Sequence, residues 1–476
     1  MASPDSALIS SDYQAPVSTL AELPGPPRNP ILGNMTSFRD RPPHLVMEQW
    51  AAQYGQMYQF SLGRQRNLVI SDAELVRKIL RARPEDFRRQ RKLADAIEQT
   101  GFRGVFTAEG KDWQRQRRLV MQGLTPNVVS AASSNIRTVT DRLAERWGQA
   151  ADESQIVNVV GDLKRYSMDV VLWLSLGIDL NATENPDQDL QTAVDTWFNA
   201  IGRRVRQPVP YWRYFKLPVD RRSDRAIELL QKTARDAIEA VRQNRAQWQG
   251  KPSNILEALL DESEKPDSDF TADNVFGNAV TMLTAGEDTT ANAMSWLLYY
   301  CSIQPALATQ LRQSILTVFG SKPIELTAET IRQLPQLQAV CLEVMRRRPV
   351  APMIGLTTAR PMTIAGLEVP AQQALTLLPR VANRATPAQL NNDELELPDL
   401  DSESRMSANA SSNQFAFGGG PRLCPGRYLA LTEMTHLAAM ALTRFEFSLA
   451  VPKQDIEEAF TFTMGPKTLP LTFRRR

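Results

Sequence analysis

The chain has 476 residues, 42% of them hydrophobic, and a formal net charge of +2. That length and apolar content can bury a large core, and the near balance of charge gives no global reason to expect nucleic-acid binding. Three cysteines, an odd number, exclude the multi-bridge framework of a small secreted protein, and His44 and His436 belong to no metal-ligand spacing.

No Gly/Ser linker, repeat or abrupt change of composition divides the chain. A flexible polar segment over 1–22 followed by a single domain over 23–476 is therefore expected. No secretory or transit segment is expected in residues 1–22, which are polar. The longest apolar stretches, such as 170–178, fall far short of a bilayer span. The expectation is a cytoplasmic protein without a membrane span, its thiols reduced, and a monomer.

Residues 23–34 are Pro-rich, which excludes helix there. Residues 44–54 read as a short amphipathic helix. Residues 56–62 and 67–71 read as strands of a hairpin joined at Gly63-Arg64-Gln65-Arg66. Residues 73–82 read as a helix with Leu75, Val76, Ile79 and Leu80 on its apolar side. Residues 87–106 are Arg-rich and show no period. Beyond them Trp113 and Arg117 stand four apart, on one helix face, and can address one acidic group together. The same spacing also occurs on solvated helices with no such role.

From 125 to 269 the pattern is mostly helical, with breaks at 181–187, 207–218 and 250–253. Around the second break Trp197, Phe198, Arg203, Arg204, Arg206, Tyr211, Trp212, Arg213, Tyr214 and Phe215 mix aromatic rings with positive charge. This reads as a helix–loop–helix lid with an amphipathic surface, ahead of a nucleic-acid or membrane patch. Residues 271–300 form the longest helical stretch, roughly 45 Å. Its centre, Ala285-Gly286-Glu287-Asp288-Thr289-Thr290, is a poor helix core on propensity. Such a break inside a strong helix marks a functional site. A further helix over 326–348 carries Glu343 and Arg346 on one face, a pairing that contributes little when it stands alone on a surface.

The stretch Phe417-Gly418-Gly419-Gly420-Pro421-Arg422-Leu423-Cys424-Pro425-Gly426 organises the rest. Its glycines let the backbone approach a flat group closely. Arg422 presents a planar fork of donors suited to a carboxylate. Cys424 sits on a tight loop where a thiolate can be held and bound to a metal. Cys301 and Cys341 fall in helical patterns as buried thiols. A helix over 427–447 follows, then an apolar loop over 460–466 and a closing strand up to Arg474.

The pattern F-x-x-G-x-R-x-C-x-G, filled by Phe417, Gly420, Arg422, Cys424 and Gly426, resembles the haem-binding loop of the cytochrome P450 family. The likeness extends from Leu23 to Thr472. Trp113/Arg117 resembles the family's W-x-x-x-R, 285–290 its oxygen-binding motif, and Glu343/Arg346 its E-x-x-R, in the family's order. The resemblance implies a mainly α fold with small β-sheets, with haem b between the long central helix and the helix after the Cys loop. It implies Cys424 as axial thiolate ligand to the iron, with Trp113 and Arg117 on a haem propionate. Ala285 and Gly286 would leave room for O₂, the helix widening there as a π-bulge does. Asp288 and Thr289 would feed protons to the distal side. Glu343 and Arg346 would lock with Arg405 to brace the haem loop. Residues 87–106 would cover a pocket lined by Met282, Ala285, Met353, Phe462 and Met464.

Two departures stand out. The segment around Arg405 is Ser/Asn/Asp-rich rather than Pro-Glu-Arg-Phe. Many relatives place an arginine for the second propionate after the E-x-x-R helix, but Ile354-Gly355-Leu356-Thr357-Thr358 holds no base and Arg360 is the first.

The implied function is a haem-thiolate monooxygenase that inserts one atom of O₂ into an apolar organic substrate, by hydroxylation or epoxidation. The residues after Cys424 are too few for a flavin or iron–sulfur domain. Electrons from NAD(P)H would therefore arrive through a separate ferredoxin or flavodoxin and its reductase, with Lys111, Arg115 and Arg118 docking the acidic carrier. A haem-thiolate isomerase or peroxide-driven enzyme would share the fold without needing Asp288 and Thr289. A haem-binding sensor or carrier would need only Cys424 and the fold.

Overall fold

The computed structural model describes residues 19–185, 189–207, 209–244, 254–320, 327–384, 394–395 and 415–476. The first elements are α1 (Pro43–Tyr54), β1 (Met57–Leu62), β2 (Gln65–Ile70), α2 (Ala73–Arg81), β3 (Phe87–Arg89) and α3 (Arg91–Glu98). A helical run follows: α4 (Gly110–Gln122), α5 (Pro126–Ala131), α6 (Ser133–Asp152), β4 (Ile156–Asn158), α7 (Val159–Leu176), α8 (Asp189–Arg206), α9 (Pro218–Gln243) and α10 (Ile255–Ser263). Then come α11 (Ala272–Ile303), α12 (Pro305–Phe319), α13 (Ala328–Arg332) and α14 (Pro335–Arg347). Short strands β5 (Ile354–Thr358), β6 (Met362–Ile364), β7 (Leu367–Val369) and β8 (Ala374–Leu377) precede α15 (Pro379–Ala382). The chain closes with α16 (Arg427–Arg444), β9 (Phe445–Leu449), β10 (Glu458–Phe460), β11 (Met464–Pro466) and β12 (Pro470–Arg475). The fold is mainly α with small sheets.

The chain divides into two compact units, one from 1–94, 351–393 and 407–424, the other from 95–350, 394–406 and 425–476. The first is built on a sheet of order β1-β2-β8-β5-β3, with β2 and β8 parallel and the other neighbours antiparallel. Strand side chains alternate between faces, and here both faces are buried. Met57, Leu68 and Ile70 pack on one side with Leu75, Val76 and Ile79 of α2. Tyr58, Phe60 and Val69 pack on the other with Val46, Met47 and Trp50 of α1. The hairpin turns at Gly63, whose φ of +59° suits glycine.

The second unit is organised on α11. It is buried almost all round, with polar Asn278, Glu287, Asp288 and Asn292 enclosed among its apolar side chains. The Thr271 side chain accepts from the Asn274 N–H while Asn274 Oδ1 accepts from the Thr271 N–H at 3.1 Å, a reciprocal cap. Pro305 starts α12 and so stops α11. Helices α7, α10, α14 and α16 pack against it. A sheet of order β4-β12-β9 stands on α6, where Trp147 stacks on Phe473 at 4.7 Å. Among the described residues no helix is long and apolar enough to cross a membrane.

Three expectations need correcting. The single helix over 326–348 is two, because Pro335 has no N–H and opens α14 at its first turn. The helix after the Cys loop ends at Arg444, and Phe445-Glu446-Phe447-Ser448-Leu449 alternates as a strand instead. The irregular 87–106 contains β3 and α3. Residues 1–18, within the segment expected to be flexible, and Arg405 lie outside the described residues.

Candidate active site

In the first unit the Cys424 loop is held by its own backbone. The Phe415 N–H donates to Asn383 Oδ1 at 3.1 Å, the Gly418 N–H to the Phe415 carbonyl at 2.9 Å, and the Cys424 N–H to the Phe417 carbonyl at 2.9 Å. Gly420 has φ +62°, and a Cβ there would lie 2.2 Å from the Leu80 carbonyl oxygen of α2. No other residue fits that position. Arg422 and Gly426, like Cys424 itself, are half-buried. None of the three cysteines is in a disulfide. Burial pushes the Cys301 thiol up to about 12 and raises that of Cys341 as well, so those two stay inert.

In the second unit the centre of α11 carries an uncovered patch. Ala285 is exposed and Gly286 and Thr289 are half-buried, in a helix otherwise enclosed. The helix remains α through this point, without the expected widening. The Thr289 hydroxyl donates to the Ala285 carbonyl at 2.8 Å. The small size of Gly286 has a second cause: a Cβ there would meet Val171 Cγ2 of α7 at 2.5 Å.

Asp288 points into the protein, only 4% exposed. Its Oδ1 lies 2.9 Å from Lys164 Nζ of α7, and its Oδ2 accepts from the Thr463 hydroxyl. Thr463 in turn accepts from Asn292 Nδ2 at 3.0 Å. Lys164 is also paired with Asp195 of α8, which is 39% exposed. An unbroken chain of ionic contacts thus runs from half-buried Asp195 to buried Asp288. Burial works against the charge on Lys164, but Asp288, Asp195 and Glu287 outweigh it and raise its pKa.

The motif's remaining acid, Glu287, is fully buried, and neither carboxyl oxygen has a hydrogen-bond partner among the described residues. Burial, then the Asp195 charge, pushes its pKa well up. Behind α11, Ser167 Oγ lies 3.0 Å from both the Gly286 carbonyl oxygen and Glu433 Oε2 of α16. Burial raises the Glu433 carboxyl well above its ordinary range too.

Trp113 is buried and Arg117 half-buried on α4. That helix is tied to α11 where Asn278 Nδ2 donates to Gln116 Oε1 at 2.8 Å. Of the three basic residues expected to dock a partner, Lys111 and Arg118 are exposed, whereas Arg115 is bound by Asp112 at 3.0 Å and Asp269 at 3.5 Å. Glu343 holds Arg346 through two contacts, Nε at 2.6 Å and Nη2 at 2.8 Å, and also Arg347 Nε at 2.7 Å. Burial would raise the Glu343 carboxyl, but Arg346 and Arg347 hold it below its usual range. Arg347 continues to the Glu394 carbonyl. Arg360 is mostly exposed and pairs with Asp86 at 2.7 Å.

Of the expected pocket residues, Met282 is 7% and Met464 0% exposed, and Phe462 is half-buried. Phe462 stacks on Phe198 at 5.2 Å and meets Phe106 at 6.1 Å, an aromatic wall in the second unit. Met353 belongs to the first unit, packed on the cluster containing Trp50. Sequence reading missed Lys164, Asp195, Ser167 and Glu433. Only Glu433 carried a local signal, an acid followed directly by the apolar stretch of α16.

The Cytochrome P450 family profile matches residues 23–473. The chain is 24% identical to cytochrome P450 monooxygenase sphH of Aspergillus fumigatus, over 96% of this chain and 88% of that one. It is 27% identical to human mitochondrial 25-hydroxyvitamin D-1 alpha hydroxylase, over 91% and 88%. The crystal structure of the cytochrome P450DA heme domain superposes with a TM-score of 0.83 at 20% identity, over 95% and 98% of the two chains. The fold and its cysteine loop are those of a haem-thiolate protein. The chain belongs to the cytochrome P450 family, whose members are monooxygenases with haem iron on a cysteine thiolate. The loop present in the first unit fits that group: the half-buried Cys424 thiol stands on a segment that Gly420 shapes.

Proposed function

We propose that this monooxygenase inserts one oxygen atom into an apolar organic substrate, with proton supply governed by Asp288, Thr289 and Lys164. Haem, bound through Cys424, supplies the activation of O₂. Trp113, Arg117 and Arg422 hold its carboxylates, and Phe417, Gly420 and Gly426 shape the loop around it. Glu343 and Arg346 serve as a structural pair that rigidifies the end of α14. Asp288 passes protons inward from Asp195 and Lys164, and Thr289 positions them beside Ala285 and Gly286. Met282, Phe462 and Met464 in the second unit, and separately Met353 in the first, supply apolar side chains of the kind that adapt to substrate shape.

Electrons come from NAD(P)H through a separate ferredoxin or flavodoxin and its reductase, docked at Lys111 and Arg118. Residues 23–476 serve as a single catalytic domain, in the cytoplasm. The observation that carries the reading is the buried Asp288, held between Lys164 and Thr463 next to the uncovered Ala285 and Thr289.

The test is turnover under ¹⁸O₂ with NADPH and a surrogate ferredoxin and reductase. Candidate substrates are first chosen by their shift of the haem spin state. One labelled oxygen per product molecule is expected. A product formed without O₂, or without label, would point to an isomerase instead.

A further inference from the structure

A cavity of about 740 Å³ opens in the second unit between the α3–α4 connection, the end of α8, residues 211–216 and α9. At its wall stands Arg204, a cation only 4% exposed. Its neighbour Arg203 has a close partner in Asp220 at 2.6 Å. Among the described residues Arg204 has none so near: the nearest acid there, Asp224, is 4.0 Å away and is already held by Lys216 at 2.8 Å and 3.0 Å. Arg204 Nε is buried without a hydrogen-bond partner among the described residues. Burial, more than any neighbour, lowers its pKa, as expected for a cation short of counter-charge.

The rest of the cavity is fixed in place. Trp212 carries the Arg204 guanidinium over its ring at 5.6 Å and donates its indole N–H to Gln99 Oε1 at 3.1 Å. Gln231 Nε2 donates to the Thr100 carbonyl at 2.9 Å. Gly101, with φ +84°, completes the rim. The cations Arg204, Arg213 and Lys216 face the carboxylates Asp224 and Glu228, leaving a single net positive charge on the walls.

We propose that this cavity is a binding site for a small organic monocarboxylate, its carboxylate taken by Arg204 and its apolar body lying against Trp212 and Ile227. A guanidinium fork matches a carboxylate through two parallel hydrogen bonds. One net charge suits a monoanion, and Asp224 and Glu228 disfavour a phosphate dianion. The flat indole of Trp212 and the aliphatic side chain of Ile227 call for more than an inorganic ion.

The experiment is calorimetric titration of the holoenzyme with phenylbutyrate, with its alcohol phenylbutanol and with inorganic phosphate. Phenylbutyrate is expected to bind at a saturable site that the alcohol and phosphate do not fill. Arg204→Gln should weaken that binding by about tenfold or more, the loss of a charge-assisted pair. Asp224→Asn, which makes the walls more positive, should tighten it, and this variant keeps the test decisive if Arg204→Gln does not fold. Equal binding of acid and alcohol, a preference for phosphate, or an affinity that neither substitution moves would overturn the assignment.

Discussion

Lys164 Nζ lies 2.9 Å from Asp288 Oδ1, and the two side chains are only 15% and 6% exposed. A pair so enclosed gains little net stability from its own attraction, but removing one member leaves the other charged and desolvated. Lys164→Met is therefore expected to lower the stability of the holoenzyme by about 3–5 kcal/mol. Adding Asp288→Asn should restore part of that loss, with an interaction energy of about 1–3 kcal/mol across the double-mutant cycle. Urea denaturation of the four proteins measures it. Strictly additive losses would show that the two groups are not coupled.

Thr289 spends its hydroxyl on the Ala285 carbonyl of its own helix, a bond that contributes little to the fold. Thr289→Ala should keep haem content, stability and the substrate-induced spin shift. Product formed per NADPH should nevertheless fall by about tenfold or more, with the electrons recovered as hydrogen peroxide, if the hydroxyl positions protons. Coupling equal to wild type would remove Thr289 from the proton path.

The two motifs most legible in the sequence are those in which the chemistry is local. The Cys loop is readable because Gly420, Arg422 and Cys424 stand two residues apart along one short segment. The centre of α11 is readable because Gly286, Asp288 and Thr289 break its own propensity. Lys164 and Asp195 were invisible for the opposite reason. They meet Asp288 only through the packing of α7 and α8, and nothing in local periodicity fixes which residue of one helix faces which residue of another. Gly286 was read as space for O₂, whereas Val171 on α7 demands the same small residue from the other side. The end of α16 was misplaced because the apolar period of the helix masks the two-residue alternation that starts at Phe445.

His436 is buried inside α16, and its Nδ1 lies 2.9 Å from the Thr432 carbonyl oxygen, so the neutral ring donates there. Burial pushes its pKa down to about 4. The unfolded chain, near 6.5, takes up the proton first as pH falls. The neutral ring's contribution is thus intact above about 6.5 and is lost progressively between about 6.5 and about 4, by about 3 kcal/mol at most. Glu287 and Glu433, with raised pKa values, work in the opposite sense and lose stability as pH rises. Comparison with His436→Leu separates them. The stability difference between wild type and variant, followed by denaturation from pH 7 to pH 4 (about the window set by the two pKa values), should move in favour of the variant on acidification. A constant difference would show that His436 does not titrate in that range.

With Cys424 proposed as the haem ligand, Pro425 is predicted to tune the charge on its thiolate. Each N–H directed at a ligating sulfur withdraws charge from it and makes the metal easier to reduce. The Cys424 N–H is committed to the Phe417 carbonyl at 2.9 Å. The next residue is proline, which has no N–H, so the first donor beyond the cysteine belongs to Gly426. The sulfur then keeps more charge than it would with another residue at 425. Pro425→Ala supplies the missing donor and should raise the haem reduction potential by a few tens of millivolts, the equivalent of about 1 kcal/mol for one weak hydrogen bond and one electron. The alternative is that Pro425 only shapes the entry to α16, whose Gly426 carbonyl accepts from the Ala430 N–H at 2.9 Å in the first helical turn. In that case the variant changes stability and leaves the potential where it was. Spectroelectrochemical titration of both holoenzymes, free of substrate, distinguishes the two. A potential that is unchanged or more negative in Pro425→Ala assigns Pro425 to the turn alone.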